Sequence, residues 1–205
     1  MIVFVVFGYY GNMIFEQART LKSQVMYLQF SHKSIEDANK LLKDDAINLQ
    51  NKIRRMKIEG ELKKKEMISN YIIKNFRRTP PSVAREISEA IIQVSKEKNI
   101  AVPILIGIIE VESGFNPFSV SKVGARGLMQ VMPEWIGKLD TKLDSEFDLH
   151  DITTGIQAGT DVFNIHLKEN NGDVSKGLYY YVNKDNTYIM KVYVAIGKYL
   201  TFKSE

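Results

Sequence analysis

IEVESGFNPFSVSKVGARGLMQVMP, residues 109–133, reads as the end of a helix followed by a long loop punctuated by glycine. Pro103 suits the start of that helix, because its fixed φ is already helical and its missing N–H costs nothing in a first turn. Leu105, Ile108, Ile109 and Glu112 then fall at i, i+3, i+4 and i+7, so a carboxylate continues an apolar stripe. Glu110 projects to roughly the opposite side. Desolvation on the stripe would raise the Glu112 pKa and keep the group protonated near neutral pH, as a general acid requires. A buried glutamate can equally be structural, capping a neighbouring helix through a hydrogen bond, and spacing alone leaves both readings open.

Working outward, the segments after Pro80-Pro81 are short and helical with glycines between them, and none alternates convincingly as a strand. Helices are expected at Val83–Lys98, Pro103–Ser113, Thr154–Asn170, Ser175–Val182 and Thr187–Tyr199. Ser82 is the natural N-cap of the first, with Arg85 where a capping box would place Glu or Gln. Arg77-Arg78-Thr79-Pro80-Pro81 marks a break, since proline disfavours helix in the residue before it.

Upstream of the break, residues 16–78 carry Leu21, Val25, Leu28, Ile35, Ala38, Leu42, Ala46, Leu49, Ile53 and Met56 at steps of three and four. That narrow apolar seam is the mark of a coiled-coil or hairpin stalk, open to self-association. Gly60 is expected to break the seam, and a second register follows through Met67, Ile68, Tyr71, Ile72 and Phe76. Residues 1–15 are apolar and uncharged. As a helix they would reach only ~22 Å against a hydrocarbon core of ~30 Å. Arg19 and Lys22 follow the stretch instead of preceding it, so it reads as the remainder of a longer signal anchor and a partial membrane attachment. An ordinary buried or frayed apolar N-terminus is the plainer alternative.

Composition narrows the classes of function. The 205 residues are 44% apolar and 25% charged, the make-up of a folding globular chain. Without cysteine there is no disulfide framework and no thiolate metal site, and His32, His150 and His166 are too scattered to suggest a histidine cage. Residues 1–78 hold 15 Lys/Arg against 8 Asp/Glu, and residues 79–205 hold 13 against 16, so the two parts carry +7 and −3. A basic N-terminal part meets an anionic partner or is simply a solvated helix.

Residues 109–133 resemble the signature of the soluble lytic transglycosylase family, whose catalytic domain has the goose-type lysozyme-like fold. The match is dense: Glu112-Ser113, Phe115-Asn116-Pro117, Val120-Ser121, Gly124-Ala125, and Gly127-Leu128-Met129-Gln130 with Met132-Pro133. Weaker likeness continues to Val192. The resemblance implies an all-α chain with a lysozyme-like catalytic domain over 79–205, preceded by the helical extension. It makes Glu112 the single acid and base, sets Ser113 beside it to orient the sugar or its acetamido group, and lines the glycan groove with Met129 and Gln130. Met129 could instead be core, and Ser121 could simply satisfy loop backbone groups. Gly124 and Gly127 are read as turn residues. Two landmarks depart from the family pattern. Gly155-Ile156 stands where the family has Asn-Ile, and Tyr180-Tyr181-Val182 where it has Ala-Tyr-Asn. The Tyr181 hydroxyl is still expected near the Glu112 carboxylate, with Tyr180 on the groove wall.

The implied activity is a peptidoglycan lytic transglycosylase that cleaves between MurNAc and GlcNAc and leaves 1,6-anhydro-MurNAc ends, with no cofactor or metal. No acidic residue follows Glu112 until Glu134, which suits a mechanism in which the acetamido sugar supplies its own nucleophile. The competing readings are a hydrolytic lysozyme or chitinase on the same fold, with a water positioned by an acid such as Asp140 or Asp144, and an inactive glycan-binding or assembly module. The expected partners are glycan strands, the membrane through the N-terminus and a second copy through the stalk, with no nucleic acid. The expected place is the cell envelope, at the periplasmic or outer face of the inner membrane, or a virion if the chain comes from a phage.

Overall fold

In the computed structural model the described residues run from Ile2 to Lys203, and for residues 2–10 and 12 only the backbone is described. Every regular element among them is helical, as expected: α1 (Ile2–Asn75), α2 (Pro81–Lys98), α3 (Val102–Ser113), α4 (Ile152–Glu169), α5 (Val174–Tyr181) and α6 (Asn186–Thr201). Two short 3-10 turns, Pro133–Trp135 and Glu146–His150, and the isolated bridges Val120–Arg126 and Arg126–Val131 lie in the long connection between α3 and α4. The chain divides into two compact units, Met1–Glu59 and Gly60–Glu205.

Two boundaries differ from the sequence reading, and Gly60, where the apolar seam changes register, leaves α1 unbroken, because one glycine costs a helix interior only ~1 kcal/mol relative to alanine. The unit holding the glutamate motif starts there and not at residue 79, since Ile68, Tyr71 and Ile72 are buried in its core. At the start of α2 the N-cap is Pro80 with Pro81 in the first turn, and Ser82 lies inside the helix, because proline's fixed φ favours that first position. The apolar side chains expected to act as a partial anchor fall mostly at residues 2–10 and 12, outside the described side chains. No helix among the described residues is long and apolar enough to cross a membrane.

In the Gly60–Glu205 unit, α3 lies at the centre and buries Leu105 through Ile109. It begins with Pro103 in the first turn and closes at Gly114, whose left-handed φ of 56° lets its N–H reach the Glu110 carbonyl. That stop leaves Glu112 in the last turn. α6 runs against α3 at Gly107, where a Cβ would come within 2.8 Å of Ile196 Cγ1 and 3.0 Å of the Val192 carbonyl. Any larger residue at 107 would push the two helices apart. Aspartates cap the remaining helices: Asp151 accepts from the Thr154 N–H at 2.8 Å, Asp173 from Lys176 at 3.0 Å and Asp185 from Thr187 at 2.8 Å.

The last turns of α1 belong to this core. Tyr71 meets Tyr199 and Phe202 edge to face, each at 5.4 Å between ring centroids. Its hydroxyl donates to Glu110 at 2.5 Å, and Lys198 approaches the other Glu110 oxygen at 3.2 Å. Glu110 is therefore a structural carboxylate tying α3 to α1 and α6. Burying Ile68, Tyr71 and Ile72 is worth about 1.5–3 kcal/mol each, comparable in sum with the ~5–15 kcal/mol net stability of an ordinary domain. A fragment beginning at Gly60 is expected to melt cooperatively, while one beginning at Ser82 should lose that transition in thermal circular dichroism. An equally sharp transition in the shorter fragment would place the end of α1 outside the folding unit.

Candidate active site

Glu112 opens into a groove of about 680 Å³ whose lining includes Ser121, Gln130, Met132, Trp135, His166, Tyr180 and Tyr181. One wall is the connection after α3, folded on itself by the Val120–Arg126 and Arg126–Val131 bridges. The loop needs its glycines. Gly127 has a φ of 77°, and a Cβ there would overlap the Leu149 carbonyl. Ser121 accepts from the Ala125 N–H at 3.0 Å and the Val123 N–H at 3.3 Å, so it organises the turn, and it also faces the groove. The opposite wall comes from α4 through Val162 and His166, and from the end of α5 through Tyr180, Tyr181 and the following Val182 and Asn183. His166 and Tyr180 stack with centroids 6.4 Å apart.

The electrostatics of the groove centre on Glu112. Burial pushes its pKa from the usual 4.5 up to about 7, and the nearby Tyr188 hydroxyl pulls the other way. Tyr188 comes from α6, where it continues the buried face of Val192, Ala195 and Tyr199. Its hydroxyl completes no well-formed hydrogen bond to any described atom, although it lies close enough to favour the charged form of Glu112. Burial, and then the Glu112 charge, holds the phenols of Tyr181 and Tyr188 well above the ordinary tyrosine range, so both remain neutral donors. A carboxyl poised near neutrality and flanked by two neutral phenols can give up a proton and take one back.

The other expected residues are placed less simply. Gln130 lines the groove, with a left-handed φ of 49°, but its amide is committed to the carbonyls of Gly127 at 3.0 Å and Ser119 at 3.1 Å. Tyr180 is on the wall. Tyr181 is beside Glu112, but its hydroxyl donates to the Met129 carbonyl at 2.7 Å and not to the carboxylate. Met129 is fully buried against Gly159 and Thr160, so it is core beneath the groove, the alternative its sequence context allowed. Ser113 is not among the lining residues. Its hydroxyl donates to the carbonyls of Leu128 at 2.8 Å and Ile109 at 3.2 Å, fastening α3 to the loop. At Gly155 a Cβ would come within 2.5 Å of the Leu149 carbonyl oxygen, so this backbone has no room for the asparagine that the family pattern places there.

Sequence reasoning missed Tyr188, Trp135, His166 and Asn183, and it overlooked that Glu134 lines the groove. Asp140 and Asp144 are not on it: Asp140 borders a separate cavity, and Asp144 is exposed beside Lys142. Tyr188 could have been found by asking which buried stripe on α6 faces the apolar stripe of α3. Nothing local signals His166 or Asn183. Among the described residues no three His, Asp or Glu side chains gather as a metal site.

Fold and site together define a helical domain that buries one carboxyl, poised as a proton carrier, in an aromatic-walled groove. The family model of the transglycosylase SLT domain matches residues 89–191, half of the chain, and the chain belongs to that family. Among its relatives are two proteins named membrane-bound lytic murein transglycosylase C. The one from Glaesserella parasuis is 42% identical over 72 residues, covering 35% of this chain and 18% of the relative. The one from Haemophilus ducreyi is 36% identical over 84 residues, covering 38% and 23%. The 70 kDa soluble lytic transglycosylase of Escherichia coli aligns in structure with a TM-score of 0.46 at 21% identity, over 66% of this chain and 26% of that one. This chain thus spans about a fifth of the length of those two curated relatives.

Two measurements test the electrostatics without substrate. A carboxyl whose folded pKa is raised from 4.5 to about 7 favours folding in its neutral form, so its contribution is full below pH 4.5 and lost as pH rises through 7. Glu112→Gln should therefore stabilise the fold above pH 7 by about 2–3 kcal/mol, with the gain vanishing near pH 4. A pH-independent effect in denaturant titrations would mean that the carboxyl is solvated. Tyr188→Phe removes the group that favours the charged form, so the Glu112 pKa, followed by carboxyl-selective NMR, should move up and not down.

Proposed function

We propose that this chain is a peptidoglycan lytic transglycosylase that cleaves the β-1,4 bond between MurNAc and GlcNAc and leaves 1,6-anhydro-MurNAc ends. The carrying observation is the buried Glu112 carboxyl, half protonated near neutral pH at the floor of a groove, in a chain of the SLT family. Protonated Glu112 donates to the glycosidic oxygen as the bond to C1 breaks. The MurNAc acetamido oxygen attacks C1 from the other face and forms an oxazolinium. Glu112, now a carboxylate, takes the proton from the C6 hydroxyl, whose oxygen closes onto C1 and expels the acetamido oxygen. No water is consumed, and Glu112 ends protonated as it began. Tyr188, held neutral, steadies the carboxylate midway through the cycle, while Tyr181 stays bonded to the Met129 carbonyl. Trp135, Tyr180 and His166 supply flat surfaces on which sugar rings pack. Ser113 and Met129 act from behind the groove, as tie and floor.

The hydrolytic reading keeps one specific support. Glu134 lines the groove, exposed to solvent, and could orient a water in the second step. The names of the relatives, together with the apolar opening of the chain, support placement in the cell envelope and attachment to a membrane through the N-terminus. The stalk upstream of Gly60 is then the self-associating part.

Purified sacculi decide between the readings. The wild-type digest should contain muropeptides ending in 1,6-anhydro-MurNAc, each one water lighter by mass spectrometry than a reducing product. Turnover should fall as pH rises through about 7, because the first step needs protonated Glu112. Glu112→Gln should lose at least about a thousandfold in rate, as removal of a general acid and base does, while still binding glycan. Glu134→Gln should keep both the rate and the anhydro ends. Reducing ends in the wild-type digest would establish hydrolysis instead, and activity surviving in Glu112→Gln would move the site elsewhere.

A further inference from the structure

Within the Met1–Glu59 unit the described residues are helical, yet a line of large apolar side chains stands largely exposed along them. Leu21, Leu28, Ile35, Leu42, Leu49 and Met56 are 59–65% exposed. They are spaced at seven residues without a slip. Val25, His32, Asn39, Ala46 and Ile53 hold the companion positions four residues after each of the first five, completing a heptad seam with the first set at d and the second at a. A seven-residue repeat is not the period of a straight helix. It keeps one seam facing a partner helix only when the two wind around each other to the left. The seam is too narrow for a helix lying on a lipid surface, which presents a broad apolar face.

From this repeat we propose that residues 18–59 form a parallel, in-register, two-stranded coiled coil with the same segment of a second copy. β-branched Val25 and Ile53 at a, with leucine at four of the six d positions, is the pattern that selects two strands over three or four. Orientation follows from the polar core positions. In a parallel pair a faces a′, so Asn39 meets Asn39 and His32 meets His32, and the two amides can bond to each other. In an antiparallel pair a faces d′, and each Asn39 would sit against a leucine or isoleucine with its amide unsatisfied. A slip of one heptad would break the same match. The flanking e and g positions carry few opposite charges and do not set the orientation. This proposal rests only on the self-association reading of the stalk and owes nothing to the glycan chemistry. Each assembly then carries two Glu112 sites.

The full chain in buffer is expected to sediment at twice its 23.5 kDa mass at micromolar concentration. Because it contains no cysteine, single substitutions report alignment directly. Leu21→Cys and Leu49→Cys should each form disulfide-linked homodimers on mild oxidation when used alone, since each position meets itself. Leu28→Asp with Leu42→Asp should yield a monomer whose Gly60–Glu205 unit still melts as the wild type does. A monomeric wild-type chain, or a trimeric or tetrameric mass, would overturn the proposal. Linkage that appears only when the Leu21→Cys protein is mixed with an Ile53→Cys protein, a d position against an a position, would show an antiparallel pair and overturn the orientation. Since none of these readouts involves turnover, failure here leaves the Glu112 assignment standing, and the converse holds as well.

Discussion

A carboxyl stays protonated near pH 7 only where water is kept from its charged form, and much of the Gly60–Glu205 unit serves to keep water from Glu112. The group sits in the last turn of α3, just after the buried stretch Leu105 to Ile109. Burial raises its pKa to about 7, against the pull of Tyr188. The cost of leaving the carboxylate there is of the order of a few kcal/mol, a sizeable fraction of a domain's net stability. The surrounding packing must carry that strain, and the ties around α3 show how it does so.

Three such ties converge on this helix. Gly107 lets α6 lie close, which brings Tyr188 over the Glu112 end. Glu110, on the other face, is gripped by Tyr71 and Lys198, so the last turns of α1 and the end of α6 fix the rotation of α3 about its axis. Ser113 fastens the helix end to Leu128 and thus to the groove wall. Two glutamates two residues apart therefore face opposite ways: Glu110 holds the helix, and Glu112 faces the groove.

The α4 side shows the same economy of space. Gly155 and Gly159 allow the helix to touch the connecting loop, with Met129 filling the gap as a buried floor. The pair of partly exposed Lys98 and buried Asp161, 2.5 Å apart, locks α4 to the end of α2, and Asp161 also accepts from the Thr141 hydroxyl at 2.6 Å and the Thr141 N–H at 2.8 Å. With its charge and lone pairs met in this way, the aspartate adds no uncompensated buried charge near the groove.

Local periodicity and the motif spacing over 109–133 were enough to read the helices of the second unit to within about two residues at each end, and to set Glu110 and Glu112 on different sides of α3. These are properties of the chain alone: a 3.6-residue repeat assigns faces, and proline and glycine end elements. Where the reading departed, the deciding contact joins residues far apart in sequence. Met129 became core because Gly159 approaches it, Ser113 a tie because Leu128 offers its carbonyl, and Tyr181 turned to Met129 because that carbonyl accepts its hydroxyl at 2.7 Å. Tyr188, His166 and Asn183 reach the site only through the packing of α4, α5 and α6, which no local pattern encodes. The end of α1 joined the core for the same reason, since whether an apolar stripe is a stalk or a domain wall depends on what it meets in space.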